Sequence, residues 1–350
     1  MNYTNWIIPI FLIILISGFY IGIKLKTFLS YQQKKYKILY WITIYLITTS
    51  IFLFRTIFVG FFLYFILFNL LFDFIKIIFR LLKCTQLLTL LNKIYFRGIP
   101  IIILCSIISL YGLYNINHPI IKEYNIKIST KLKNSLAIGM ISDLHLGMIH
   151  SDKFLNEIVV HANELNADIF IFGGDIFDEY TQEDFKNQAI LAFSKIKTKY
   201  GIFYIEGNHD LLNEDIKQKL EQNKIQVLDD KVIQIADLIN LIGRKDYRNN
   251  NLGNPRKDLT DLKQETKPSL PTLLLDHQPK DQLLASSLNI DLQLSGHTHA
   301  GQIFPANFFL QYGYHKQQNY QIIISSGYGV WGFPIRTAGR SEMVKINLTN

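Results

Sequence analysis

Five short motifs, each placed just after an apolar run of strand length, constrain this chain more than any other feature. They are Ser142-Asp-Leu-His-Leu-Gly147, Gly173-Gly-Asp-Ile-Phe-Asp178, Gly207-Asn-His-Asp210, Asp276-His-Gln-Pro279 and Ser295-Gly-His-Thr-His-Ala-Gly-Gln302. The runs before them, Leu136–Ser142, Ile169–Phe172, Ile202–Glu206, Leu273–Leu275 and Ile290–Leu294, read as buried strands. Amphipathic stretches at Ser151–Leu165, Gln182–Lys197, Asn213–Gln222 and about 256–265 read as helices between them. Further strands are expected near Ile225–Leu228, Val232–Ile235, Leu238–Ile242, Tyr320–Ser325 and Met343–Leu348. Such alternation predicts an α/β layered domain, whose ligands gather beyond the C-terminal ends of the strands.

The motifs share one chemistry. In an extended segment, residues two apart point the same way, so Asp143 pairs with His145 and His297 with His299. Each motif alone has a bland reading: Asp143 caps a helix, Asp175 ends a turn, Asn208 is a turn residue, His277 is a loop histidine. All five together, each at a strand end, point to a metal site. Its donors are oxygen and nitrogen with no thiolate, which suits Mn, Fe or Zn. The only two cysteines, Cys84 and Cys105, lie far upstream.

The upstream part is a different kind of chain. Residues 1–118 hold eleven Lys and Arg against one acid, Asp73, whereas residues 119–350 hold 25 against 27. Ile7–Ile23, Ile38–Phe54, Ile57–Ile75 and Ile99–Ile116 are each about one bilayer wide in apolar residues, which predicts about four transmembrane helices. The basic stretches 24–37 and 76–97 belong on the cytoplasmic side, the second as a loop with an amphipathic helix on the membrane surface. The expectation is therefore a multi-pass anchor, residues 1–118, in the inner (cell) membrane, with residues 119–350 extracytoplasmic. Asp73, one turn from Lys76, reads as an interfacial anchor rather than part of a transport path.

The series D-x-H, G-D-x-x-D, G-N-H-D, H and G-H-x-H resembles that of the calcineurin-like metallophosphoesterase superfamily. The resemblance extends over roughly residues 136–348. Gly243-Arg-Lys-Asp246, the run 273–279 and Ser326–Arg336 are similar to the membrane-associated bacterial YaeI/YkuE-like branch. That branch in turn resembles a hydrolase acting on UDP-diacylglucosamine. Ala300 stands where the branch often has Gly.

The resemblance implies a four-layer αββα sandwich and two divalent ions. One ion would take Asp143, His145, Asp175 and His299, the other Asp175, Asn208, His277 and His297, with Asp175 shared. A hydroxide bridging the ions would attack phosphorus in line. His209 is the candidate acid for the leaving group, Asp178 its orienting partner, and Arg244, Arg248, Arg336 and Arg340 candidate clamps on substrate phosphate.

The expected partners are thus a phosphoester substrate, with lipid-linked esters among the candidates, and the bilayer. No nucleic acid is expected, because residues 119–350 carry a net charge of −2 and no basic, aromatic-studded stripe; no obligate protein partner is evident. The rival from another class is a non-catalytic, metal-dependent scaffold at the membrane. It fits poorly with a chain that keeps every ligand position and His209.

Overall fold

Strand β3, Ile169–Phe172, shows why the domain is layered: Ile169 and Ile171 pack into one apolar cluster, Phe170 and Phe172 into another. Successive side chains of a strand face opposite ways, so a strand that is apolar throughout must be covered on both faces. The computed structural model describes residues 16–24, 26, 41–42, 44–46, 49, 58–95, 98–128, 132–148, 151–210 and 212–350.

Two six-stranded mixed sheets are formed. The first runs β1-β12-β2-β3-β4-β5, with β1 Ile120–Lys127, β2 Leu136–Ile141, β4 Ile202–Tyr204, β5 Ile225–Val227 and β12 Glu342–Thr349. The second runs β10-β11-β9-β8-β7-β6, with β6 Lys231–Ile235, β7 Ile239–Gly243, β8 Thr272–Leu275, β9 Leu292–Ser295, β10 Gly313–Gln317 and β11 Tyr320–Ile324. β2 to β5 are parallel, as are β7, β8, β9 and β11. Their C-terminal ends carry the five motifs.

Three apolar clusters hold the layers. Ile138, Met140 and Ile171 of the first sheet meet Leu241, Leu273 and Leu294 of the second. The outer face of the first sheet is covered by Leu155 and Ile158 of helix Asp152–Glu164 and Ala189 and Phe193 of helix Glu183–Phe193. The outer face of the second is covered by Leu259 and Leu262 of helix Leu259–Gln264 and Ala285 of helix Gln282–Ser287. Helix Glu214–Gln222 starts where Asn213 accepts the Ile216 backbone N–H at 2.9 Å, satisfying one of its unpaired first-turn donors.

The chain divides into two compact units, residues 1–114 with 332–337, and residues 115–331 with 338–350. In the first, helices Phe58–Leu81 and Ile99–Asn117 are long and apolar enough to cross a membrane. Among the described residues two such helices are found. The spans expected over Ile7–Ile23 and Ile38–Phe54 fall largely outside the described residues, of which 16–24 and parts of 41–49 are helical. Helix Phe58–Leu81 also continues six residues past the expected end of its span, through Lys76 and Arg80. Asp73 is paired with Lys24 Nζ at 2.7 Å and Tyr20 Oη at 2.9 Å rather than with Lys76. Within the basic stretch 76–97 a helix runs Thr85–Tyr95, with no buried residue. The excursion Gly332–Thr337 packs among these helices: the Arg336 N–H meets Gly112 O at 3.2 Å, and Tyr64 Oη meets Thr337 Oγ1.

Candidate metal centre

The motif turns leave their strands sharply. Asp143, His145, Asp175, His297 and His299 all have positive φ, between 49° and 72°. Asp and His tolerate this left-handed region better than bulkier residues, and residues held there cluster at functional sites. The turns also need glycine. A Cβ on Gly207 would run into the Asp175 carboxylate and backbone nitrogen, and one on Gly296 into the Asp143 carboxylate.

Two ligand groups result: Asp143, His145 and His299, and Asp175, His277 and His297. In the first, His145 Nε2 lies 3.1 Å from His299 Nε2, and Asp143 Oδ1 lies 3.4 Å from His299 Nε2. Two nitrogens on one cation at about 2.1 Å have this spacing. In the second, His277 Nε2 lies 3.1 Å from Asp175 Oδ2, and His297 Nδ1 lies 2.7 Å from Asn208 Oδ1. The same Asp175 Oδ2 is 3.8 Å from His145 Nε2, so one carboxylate faces both groups.

Neighbouring bonds orient these donors. His277 Nδ1 donates to Gly173 O at 2.8 Å, which leaves Nε2 as the ligating nitrogen. Asp143 accepts the Ser142 hydroxyl at 2.5 Å and the His297 N–H at 2.9 Å. Asp175 Oδ1 accepts the His209 N–H at 2.7 Å.

The electrostatics suit a cation. Burial, and then the charge of Asp175, push the Asp143 carboxyl up to about 6. Burial alone would also raise Asp175, but His277 and His145 hold it well below the usual carboxylate range. Burial works against a charged His277, yet Asp175 outweighs it and keeps the imidazole protonated far above its ordinary value. Burial lowers His145 to about 4, so it is neutral and free to ligate. Among the described residues the buried His145 Nδ1 has no hydrogen-bond partner. Oxygen and nitrogen donors around a shared carboxylate fit divalent ions such as Mn, Fe or Zn, which on binding at His277 Nε2 would displace its proton.

Asp143, His145, Asp175, Asn208, His277, His297 and His299 are therefore brought together. His209 joins them, its ring 5.3 Å from that of His145 and 5.6 Å from that of Trp331. Its Nδ1 faces Glu179 Oε1 at 3.2 Å, however, and not Asp178. Asp178 turns back on its own loop, accepting from Tyr180 N at 2.9 Å and Thr181 Oγ1 at 3.2 Å.

The arginines separate. Arg248 lines a cavity of about 410 Å³ beside the ligands, with Glu179, His209, Tyr247, Gln278 and Lys280. Its guanidinium bonds Asn208 O. Arg244 is buried instead, in a network with Asp276 at 3.2 Å and Asp281 at 2.9 Å that Arg256 completes. Arg336 is buried in the helical unit. Arg340 donates to His118 O at 2.7 Å.

Glu179 and Asp210 carry roles that sequence reasoning did not assign. The Asp210 carboxylate accepts from the backbone of Asp175, Ile176, Phe177 and Gly207 and from the Tyr204 hydroxyl, at 2.7 to 3.1 Å. It ties the second motif to the third. Its place in Gly207–Asp210 was the available signal; nothing local distinguishes Glu179 from Asp178.

Two mixed sheets with oxygen and nitrogen donors gathered at their strand ends define an α/β domain with a candidate metal centre. Comparison with known proteins agrees: residues 136–301 match the sequence profile of the calcineurin-like phosphoesterase family. An uncharacterized metallophosphoesterase of Helicobacter pylori is 35% identical over 240 residues, covering 66% of this chain and 64% of the relative. One of Campylobacter jejuni is 32% identical over 288 residues, covering 79% of this chain and 75% of the relative. A transmembrane protein with metallophosphoesterase domain of Danio rerio is 30% identical over 270 residues, covering 71% and 61%. The chain spans just under two thirds of the Helicobacter pylori relative's length, and it belongs to the calcineurin-like phosphoesterase family.

Proposed function

We propose that this protein hydrolyses phosphate esters at a centre of two divalent ions, one held by Asp143, His145, Asp175 and His299, the other by Asp175, Asn208, His277 and His297. The observation that carries this reading is the single Asp175 oxygen, 3.1 Å from His277 Nε2 and 3.8 Å from His145 Nε2. When bound, such ions lower the pKa of coordinated water and neutralise charge on the phosphoryl oxygens. The chain's own residues do the rest. Glu179 holds His209 Nδ1, so Nε2 is the nitrogen that meets the leaving oxygen and gives it a proton. Arg248 and Lys280 draw the anionic ester into the cavity.

The reading extends to a membrane anchor, residues 1–118, with residues 119–350 extracytoplasmic and lipid-linked phosphoesters, UDP-diacylglucosamine among them, as substrates. Its support is the pair of apolar helices and the basic stretches beside them. The Danio rerio relative is called a transmembrane protein.

The test is turnover of bis-p-nitrophenyl phosphate by the Mn-loaded full chain. Wild type should release nitrophenolate and Asp175→Asn should not. Equal rates at background level for the two would sink the reading. A C-terminal reporter active only in the cytoplasm would overturn the sidedness.

A further inference from the structure

The segment that follows the last ligand motif is dominated by exposed large apolar side chains. Past His299 and Gly301, the chain runs Ile303-Phe-Pro-Ala-Asn-Phe-Phe-Leu-Gln-Tyr312 before β10 begins. Phe308 is 72% exposed and Phe309 83%, with Leu310 and Tyr312 exposed beside them. Soluble surfaces rarely keep such residues contiguous unless they serve to bind something. The Phe304 ring braces Phe308 edge-on at 5.5 Å, so the patch is shaped.

Its position relates it to the metal centre. At one end Gln302 clasps Trp331, donating to its carbonyl at 3.0 Å and accepting its N–H at 2.8 Å. Trp331 is 55% exposed and stands 5.6 Å, ring to ring, from His209. At the other end Gln311 Oε1 accepts from Gln282 at 3.1 Å, and Gln282 also bonds Pro279 O, next to Lys280. The segment thus borders the cleft from the His209 side to the Lys280 side. Lys280 Nζ lies 3.6 Å from the Tyr247 ring centroid, and Arg248 is close by in the cavity. An apolar rim beside a cationic mouth complements an amphiphile with an anionic phosphoester head and hydrocarbon tails. Phe, Leu, Tyr and Trp together are also the residues that settle at a membrane's interface.

We propose that Phe304–Tyr312, with Trp331, seats in the headgroup and upper acyl region of a lipid bilayer, and that the centre takes its phosphoester from the membrane plane. This rests on the phosphoesterase reading above and gives it an interface. The same chain carries two helices long and apolar enough to cross a membrane.

The experiment compares two substrates of the full chain reconstituted in phosphatidylcholine vesicles. One is soluble bis-p-nitrophenyl phosphate. The other is a diacylglyceryl p-nitrophenyl phosphate in the bilayer. In both, water adds at phosphorus, the P–O bond to the aryl group breaks and nitrophenolate leaves. Phe308→Ser with Phe309→Ser should cut kcat/KM on the lipid substrate by about tenfold or more and leave the soluble substrate within about twofold. Equal losses on both, or none on either, overturn the proposal.

A second measurement does not need turnover. With Cys84 and Cys105 replaced by Ala, a bimane on Phe309→Cys should be quenched by lipids carrying a nitroxide high on the acyl chain. Absence of quenching overturns the proposal. If the same cysteine then forms a covalent dimer on oxidation, a second copy of the chain occupies the patch instead. Failure of wild type on both substrates would overturn the phosphoesterase reading, while the quenching still reports on the rim.

Discussion

Replacing Asp210 by Asn removes a single charge and should damage the metal centre from behind. Asp210 Oδ2 accepts the N–H groups of Asp175 and Gly207 at 2.7 and 2.8 Å; Oδ1 accepts Ile176 N, Phe177 N and the Tyr204 hydroxyl. An asparagine can present only one oxygen, so in its better orientation the amide NH2 faces two N–H donors. Each hydrogen bond to a charged acceptor is worth about 1.5–3 kcal/mol, so the direct loss is about 3–6 kcal/mol. Burial and the nearby Asp175 charge push the Asp210 carboxyl up to about 7, so ionising it opposes folding. Removing that charge returns part of the loss, leaving about 2–4 kcal/mol. For a unit of this size that lowers Tm by about 5–15 °C. The Asp175 backbone also loses its anchor, so metal affinity should fall by about 10–100-fold, the usual range for partners of ligands. Thermal unfolding without metal and Mn titration read the two effects. An Asp210→Asn protein within about 2 °C of wild type, with unchanged Mn affinity, would refute the reasoning.

Three other outcomes are expected. Asp143 must be ionised to ligate and its carboxyl sits at about 6, so apparent metal affinity should fall by up to about tenfold per pH unit below that value. Calorimetric titration showing a flat response from about pH 7 to pH 5 would contradict this. Arg244→Ala leaves the buried Asp276 short of a partner and should cost about 3–5 kcal/mol of stability, whereas Arg248→Ala should raise KM with little change in unfolding; the reverse pattern would return Arg244 to the substrate. Glu179→Gln should lower kcat by loosening His209, and Asp178→Asn should leave it unchanged; equal kcat values for the two variants would remove Glu179 as the orienting group.

The clustering of the candidate ligands was legible because the information for each is local. Asp143, Asp175, Asn208, His277 and His297 each lie one to four residues past a run that must be a strand, and parallel strands deliver their C-terminal ends to one side. The arginines were not legible. Arg244 also follows a strand, β7, but its guanidinium turns to Asp276 and Asp281, more than thirty residues onward. Only the register of β7 on β8 brings those groups together. Glu179 was hidden for a different reason: in a tight turn, adjacent carboxylates diverge, and Asp178 is captured by Thr181. Strands β1 and β10 escaped because an edge strand buries few of its residues; β1 carries Lys122, Glu123 and Lys127 in the open. The expected spans Ile7–Ile23 and Ile38–Phe54 lie largely outside the described residues.

The ligand turns are also where local preference and global fold disagree most. Five of the six grouped ligands take positive φ, each at a cost of about 1–3 kcal/mol. Asp143 and Asp210 are buried and raised toward neutrality in the presence of the Asp175 charge, which nearby His277 offsets only in part. A chain selected for stability alone would relax such turns and replace one of the three carboxylates. Their presence is intelligible if cations complete the site: positive charge between Asp143 and Asp175 would turn their repulsion into shared attraction, and ligand bonds would hold the strained turns in place. On this account strain, buried charge and obligatory glycines at 207 and 296 are one design, in which folding leaves an electrostatic deficit that metal binding repairs.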